Sequence, residues 1–347
     1  MFHDRWVAEV LEGPIPAEAL ATCHDCAMCD PAGATGGITF NPGMKCCSYV
    51  PELANFMVGA VLNDATPEGE HGRVSVRRRI EAGVGVTPLG LATPRPYQVL
   101  YKAAPEGFGR SRALRCPHYV DEGGGLCGIW RYRESVCATW HCKYVRGATG
   151  ARFWNALQRW LSAVERDLAH WCLLDLDVEA DVIDRVFERR EVNPREDLRP
   201  GELDGHEDRA DLWGAWAPRK EEFYRACAAR IEALSPSEVL ARCSPRAWLM
   251  TRLVQSAHAM LRAKDVPTRL EAGQVQLVAL GKGRCQVVTY NPYDPLDLPQ
   301  EVIAMLARFD GRPTEEVLAE IEREEALPLD VELVRLLVDF EVLVAAR

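Results

Sequence analysis

Nine of the chain's thirteen cysteines lie between positions 23 and 142, in two groups. The first is Cys23-x2-Cys26-x2-Cys29 followed by Cys46-Cys47, and the second is Cys116-x10-Cys127-x9-Cys137-x4-Cys142. Thiolates three residues apart converge on one metal, because a tight turn brings their sulfurs close together. The Cys23, Cys26, Cys29 triplet matches the opening of the ferredoxin-type run that holds a 4Fe–4S cluster. A fourth ligand then comes from elsewhere; Cys116, followed by Pro117, suits that role, and Cys46 or Cys47 serves equally. Zinc is the alternative, since it takes four thiolates or imidazoles in a tetrahedron. Ligand softness and the triplet favour iron–sulfur. Adjacent side chains such as Cys46 and Cys47 diverge, so one of them can be a small buried hydrophobe.

Other residues near the cysteines read as support. His24, His118 and His141 lie within two residues of clustered cysteines and read as surrounding polar groups, while Trp130, Tyr132 and Trp140 shield the centre from water. Glu134 and Asp121 read as ordinary surface carboxylates. Cys172, Cys227, Cys243 and Cys285 stand alone and read as core residues. The basic run Arg73-Val-Ser-Val-Arg-Arg-Arg79 reads as a solvated face. Gly123-Gly-Gly125 is a turn and Gly281-Lys-Gly283 a hairpin tip, neither in a nucleotide-binding context. No Ser/His/Asp arrangement emerges from spacing, so the sequence names no catalytic residue.

The elements that must position these groups fall into three parts: a cysteine-rich domain over 1–150, a helical domain over 151–266 and a smaller domain over 267–347. The fold class is α+β and mainly helical. In the first part, short helices are expected near Pro16–Thr22 and Glu52–Leu62, with β-prone pieces at Arg73–Ile80 and Tyr97–Lys102, wrapped irregularly around a metal. A long helix covers 151–172, where Phe153, Trp154, Leu157, Trp160, Leu161, Val164, Leu168 and Trp171 repeat with helical period. Asp181–Arg190 extends the helical region, and 188–211 is polar enough for an exposed linker. Helices follow at Glu221–Leu234, after Ser235-Pro-Ser-Glu238 and from Ser244 to Lys264. From Pro267 the period becomes two: Val275–Leu280 and Arg284–Tyr290 form a hairpin, followed by helices at Pro299–Arg308, Thr314–Glu325 and Asp330–Asp339 and a last strand near Glu341–Val344.

Composition narrows the setting. The 347 residues are 48% hydrophobic and 27% charged, with a net charge of −10, which suits a globular chain and disfavours nucleic acid or an anionic membrane as partner. No basic start precedes an apolar stretch and no run of about 18 apolar residues occurs, so neither a signal peptide nor a membrane span is expected. A cytoplasmic location keeps thirteen thiols reduced, where clustered cysteines act as metal ligands.

The segment from Cys116-Pro-His-Tyr through Cys127-Gly-Ile-Trp-Arg to Cys137-Ala-Thr-Trp-His-Cys142 resembles the YkgJ-type cysteine-cluster proteins, a zinc- or iron-chelating family. The family's amino-terminal half is Cys-x2-Cys-x2-Cys-Cys; here 16 residues separate Cys29 from Cys46. The similarity covers roughly residues 20–150 and implies a metal centre. The flagellin lysine methylases, which are iron–sulfur proteins, have a similar cysteine pattern, but no methyl-donor motif is present here. The last 80 or so residues resemble the PqqD-like winged helix, which recognises leader peptides, through the hairpin at 275–290, Phe309-Asp-Gly311, Thr314 at a helix start and Leu336–Val344. From Asn291 to Arg347 there are fourteen Asp/Glu against five Lys/Arg, a balance of −9, which repels phosphate and favours a peptide or protein partner added as a strand at the hairpin edge.

Together these readings describe a metal-binding protein that carries an iron–sulfur cluster on clustered cysteines and acts as a redox or metal module with a peptide-binding end. The alternatives are a metalloenzyme that modifies a peptide and a structural-zinc adaptor.

Overall fold

A computed structural model describes residues 2–11, 13–29, 38–187, 210–325 and 329–346. In chain order it contains α1 (Phe2–Val10), β1 (Leu53–Ala54), α2 (Asn55–Asn63), α3 (Glu70–Glu81), β2 (Val86–Thr87), β3 (Gly90–Leu91), α4 (Arg95–Ala103), β4 (Tyr119–Val120), β5 (Leu126–Cys127) and α5 (Ser135–Thr139). Then come the longer helices α6 (Gly147–Asp175), α7 (Ala180–Phe187), α8 (Lys220–Glu232), α9 (Pro236–Arg242) and α10 (Pro245–Arg262). The remainder is β6 (Arg269–Ala272), β7 (Gln276–Gly281), β8 (Arg284–Val288), β9 (Leu296–Pro299), α11 (Gln300–Met305), β10 (Asp310–Pro313), α12 (Thr314–Glu325), α13 (Val331–Asp339) and β11 (Leu343–Ala345). The fold is α+β and mainly helical, with small antiparallel sheets. The polar 188–211 stretch, apart from its last two residues, and the end of the helical extension at 188–190 lie outside the described residues.

The chain divides into two compact units. The first comprises Met1–Ile15, Phe40–Trp140 and Leu157–Leu253. Its centre is α2, buried from Asn55 to Leu62, because the sequence NFMVGAVLN is apolar on every side. Gly59 sets the distance to α8: a Cβ there would sit 1.9 Å from the Tyr224 carbonyl oxygen. Tyr224 in turn donates its hydroxyl to the Thr87 carbonyl at 2.8 Å, and Asn55 Nδ2 donates to Pro88 O and Ala169 O at 3.0 Å each. These bonds tie α8 and α6 to the small sheet β1-β3-β2, where Leu53 and Val86 both pair with Leu91. Trp160, Leu161, Val164 and Leu168 of α6 add to the buried core. Ser235 and Glu238 form the reciprocal cap at the start of α9, as S-x-x-E dictates.

Several short elements differ from expectation. Arg73–Ile80 is helical, not β: α3 buries Gly72, Val76 and Arg79, a spacing of i, i+4, i+7 that a strand cannot present to one side. Tyr97–Lys102 is likewise helical. Pro96 stands in the first turn of α4 and the rings of Tyr97 and Tyr101 stack at 5.7 Å, as residues four apart on a helix do. Pro16–Thr22 forms no helix, whereas Phe2–Val10 does. There the rings of Phe2 and Trp6 meet Phe56, burying the inner side of α1.

The second unit comprises Pro16–Thr39, His141–Ala156 and Val254–Arg347. Its core gathers Leu270, Val287, Phe309, Ile321, Leu337 and Val342 with their neighbours. Two three-stranded sheets, β10-β6-β11 and β7-β8-β9, frame it. In the latter, Leu277 pairs with Val287 and Cys285 with Leu298. The hairpin turn places Gly281, Lys282 and Gly283 at positive φ, which explains glycine at two of these positions.

Candidate functional site

The first unit brings five of the predicted ligands, Cys46, Cys47, Cys116, Cys127 and Cys137, into one neighbourhood. Cys116 N–H donates to the Cys47 carbonyl at 2.8 Å, and Cys127 lies on β5 opposite Tyr119. Each of three thiols is taken by its own local partner. Cys46 S–H donates to the Cys47 sulfur, Cys137 S–H donates to the Glu134 carboxylate, and Cys116 Sγ accepts from the His118 backbone N–H. Burial pushes the Cys116 thiol up to about 12. Cys46 is raised chiefly by its bond to Cys47 and then by burial, and Cys137 by burial and then by the Glu134 charge. These groups are therefore neutral thiols at pH 7.

Cys23, Cys26, Cys29 and Cys142 belong to the second unit. Cys29 N–H donates to Cys26 O at 2.8 Å, closing the turn the spacing implies, and the Cys142 carbonyl accepts from Asn291 Nδ2 at 3.2 Å. Among the described residues no three His, Cys, Asp or Glu side chains come together as a set able to hold a metal ion. The expected metal-binding function is corrected on this ground, for the iron–sulfur module and likewise for the metalloenzyme and structural-zinc versions. The physical reason is that spacing brings residues near one another along the chain, whereas ligation needs their side chains to gather at one point, and among the described residues they do not. None of the thirteen cysteines is in a disulfide; Cys172, Cys227 and Cys285 are buried and Cys243 is partly buried.

Residues beside the cysteines carry more than the sequence indicated. Glu134 is only 4% exposed, not a surface carboxylate. It caps α5, accepting from Val136 N at 2.5 Å and Cys137 N at 2.8 Å. Burial, reinforced by the Glu165 charge, pushes its carboxyl up to about 7. Ser135 Oγ donates to Glu165 Oε2 at 2.9 Å, and Glu165 Oε1 meets His3 Nε2 at 2.7 Å. The result is a buried carboxylate pair joined by a serine. Asp121, by contrast, is exposed and bonded to Arg115 at 2.8 Å. No spacing signal links Glu134 to Glu165, since they meet only when α5 docks against α6.

Arg79, read as part of a solvated basic face, is 5% exposed. Its Nη2 donates to Ala92 O at 2.6 Å, while Nε and Nη1 have no hydrogen-bond partner among the described residues. His118 is buried as well. Ser75 Oγ donates to Gly72 O and sits 2.8 Å from His118 Nδ1, so Nδ1 carries the ring proton. Burial and then the Arg79 charge push His118 down to about 3, which keeps it neutral.

In the second unit the exposed feature is β7. It is an edge strand, hydrogen-bonded to β8 on one side, and all six of its residues are exposed. Its sequence QLVALG contains no charge and no proline, and Leu277, Val278 and Leu280 stand in solvent. Proteins normally blunt such an edge with Lys, Pro, a bulge or a covering loop. The bulge here lies at the turn end, between Ala279 and Gly281.

No family model, curated protein or solved structure matches the chain. The likenesses to the YkgJ-type and PqqD-like families accordingly rest on the motifs quoted above alone.

Proposed function

We propose that residues 267–347 bind an extended peptide or protein segment, which adds as a strand to β7. The observation that carries this reading is the edge itself: six exposed, uncharged residues on a strand that, among the described residues, pairs on one side only. An incoming strand would pair on the other side, and Leu277, Val278 and Leu280 would supply apolar contacts to its alternate side chains. The balance of −9 over Asn291–Arg347 favours a segment bearing Lys or Arg and disfavours nucleic acid. The likeness of this region to the PqqD-like winged helix points the same way. Among the described residues no helix is long and apolar enough to cross a membrane. Thirteen cysteines with no disulfide among them support a reducing, cytoplasmic setting.

The test is selection of short random peptides displayed on phage against the full chain, followed by hydrogen exchange. Selected sequences should be extended and Lys/Arg-bearing, and binding should slow exchange at 276–281. Leu277→Lys together with Val278→Lys should weaken binding by roughly tenfold or more, as loss of central contacts does. Protection confined to another part of the chain, or no selected binders, would sink the reading.

A further inference from the structure

Within the first unit, the amino-terminal half of α10, up to Leu253, departs from the usual pattern of a surface helix. Ala247 faces the core and is buried, yet Trp248, Leu249 and Leu253 are 61%, 72% and 59% exposed. Leu249 and Leu253 are four residues apart and so lie one above the other, with Trp248 beside them. A helix that packs one side on a core carries polar residues on the other. This one presents three large apolar groups to water, at the cost of the transfer free energy that covering them would recover. Contiguous exposed apolar groups mark interaction sites, and Trp is enriched among the residues that anchor protein interfaces.

Charge identifies the occupant. Between Glu238 and Asp265 the chain holds Arg242, Arg246, Arg252, Arg262 and Lys264 and no Asp or Glu, in a protein whose net charge is −10. Arg246 and Arg252 are exposed and flank the apolar groups. A second copy offering the same face would set arginine against arginine, which opposes pairing. An anionic membrane would meet arginines locally but would repel the chain as a whole, and three side chains are a small footprint for insertion.

We propose that the outer face of α10 docks an acidic amphipathic helix of a partner protein. Aliphatic side chains of that helix cover Trp248, Leu249 and Leu253, and its Asp or Glu residues pair with Arg246 and Arg252. The surface is distinct from β7, and the two readings stand or fall separately.

The probe is a pair of labelled synthetic helical peptides that share a leucine stripe and differ only in having Glu or Lys flanks. Their binding to the full chain is followed by fluorescence anisotropy. The Glu-flanked peptide should bind roughly tenfold tighter or more, the scale of a few paired rim charges. Leu249→Glu with Leu253→Glu should abolish binding while the circular dichroism spectrum stays unchanged. Arg246→Glu with Arg252→Glu should invert the preference toward the Lys-flanked peptide. Equal binding of both peptides, binding of neither, or indifference to the leucine substitutions refutes the proposal. Two further results also overturn it: co-sedimentation with phosphatidylserine-containing phosphatidylcholine vesicles that depends on Leu249 and Leu253, and a dimer that Leu249→Glu dissociates.

Discussion

Glu134 shows how much one buried carboxyl can do. A glutamate ordinarily ionises near 4.5, and burial beside Glu165 moves this one to about 7. Between those values the folded chain holds a proton that the unfolded chain has released. Stability therefore falls as pH rises from about 4.5 to about 7, by about 3 kcal/mol at most. His118 has the opposite sign: its folded value of about 3 lies below the usual 6.5, so the stability it contributes above 6.5 is lost as pH falls toward 3. From about 4.5 to 6.5 the two slopes oppose each other. Glu134→Gln removes the falling one. The denaturant midpoint of that variant should climb with pH over this interval and stay level from 6.5 to neutral pH; a continued decline above 6.5 would place the titration elsewhere. The residues that matter here were only half visible beforehand. Cys137 stood out by type and spacing, but its partner Glu134 looked like any surface glutamate because burial is a property of packing.

Elements obey the sequence best where one local force dominates. α2 was legible from Phe56, Met57 and Val61, all of which are buried, although Leu53, expected on the same helix, lies on β1 and the helix starts at Asn55; the cap at Ser235 announced α9. α3 was not, because Val74 and Val76 alternate with polar residues and imitate a strand, while the docking of Gly72, Val76 and Arg79 into the core decided for helix. The contact between α2 and α8 yields a sharp prediction. Gly59→Ala would drive a methyl group against the Tyr224 carbonyl, and since backbone cannot yield as a side-chain tip does, the cost should be roughly 3 kcal/mol. Chemical denaturation measures it. A loss below about 1 kcal/mol, the lower end of overpacking, would mean the two helices separate easily.

For the molecule as a whole, charge distribution sets the choice of partners. Of the net −10, the segment from Asn291 carries −9, while α10 contains arginines and no acid. Segments of opposite charge thus lie on one chain. Duplex DNA mixed with the full chain at low salt should migrate unshifted in an electrophoretic assay, because the acidic segment repels phosphate. A salt-sensitive shift would show that the basic helix outweighs that repulsion.

Composition and periodicity by themselves determined a mainly helical α+β chain, its long central helix, the carboxyl-terminal hairpin and the acidic end. Each follows from local period, turn chemistry or summed charge, which are written residue by residue. Only the tertiary structure decided that the cysteines do not gather into a metal-holding set among the described residues. Ligation needs several sulfurs aimed at one point, and aim depends on how β5, α5 and the Cys46–Cys47 turn pack, not on spacing. The Glu134–Glu165 pairing, the burial of Arg79 and the exposure of β7 and α10 all depend on how residues far apart in sequence pack, where no short-range pattern reaches.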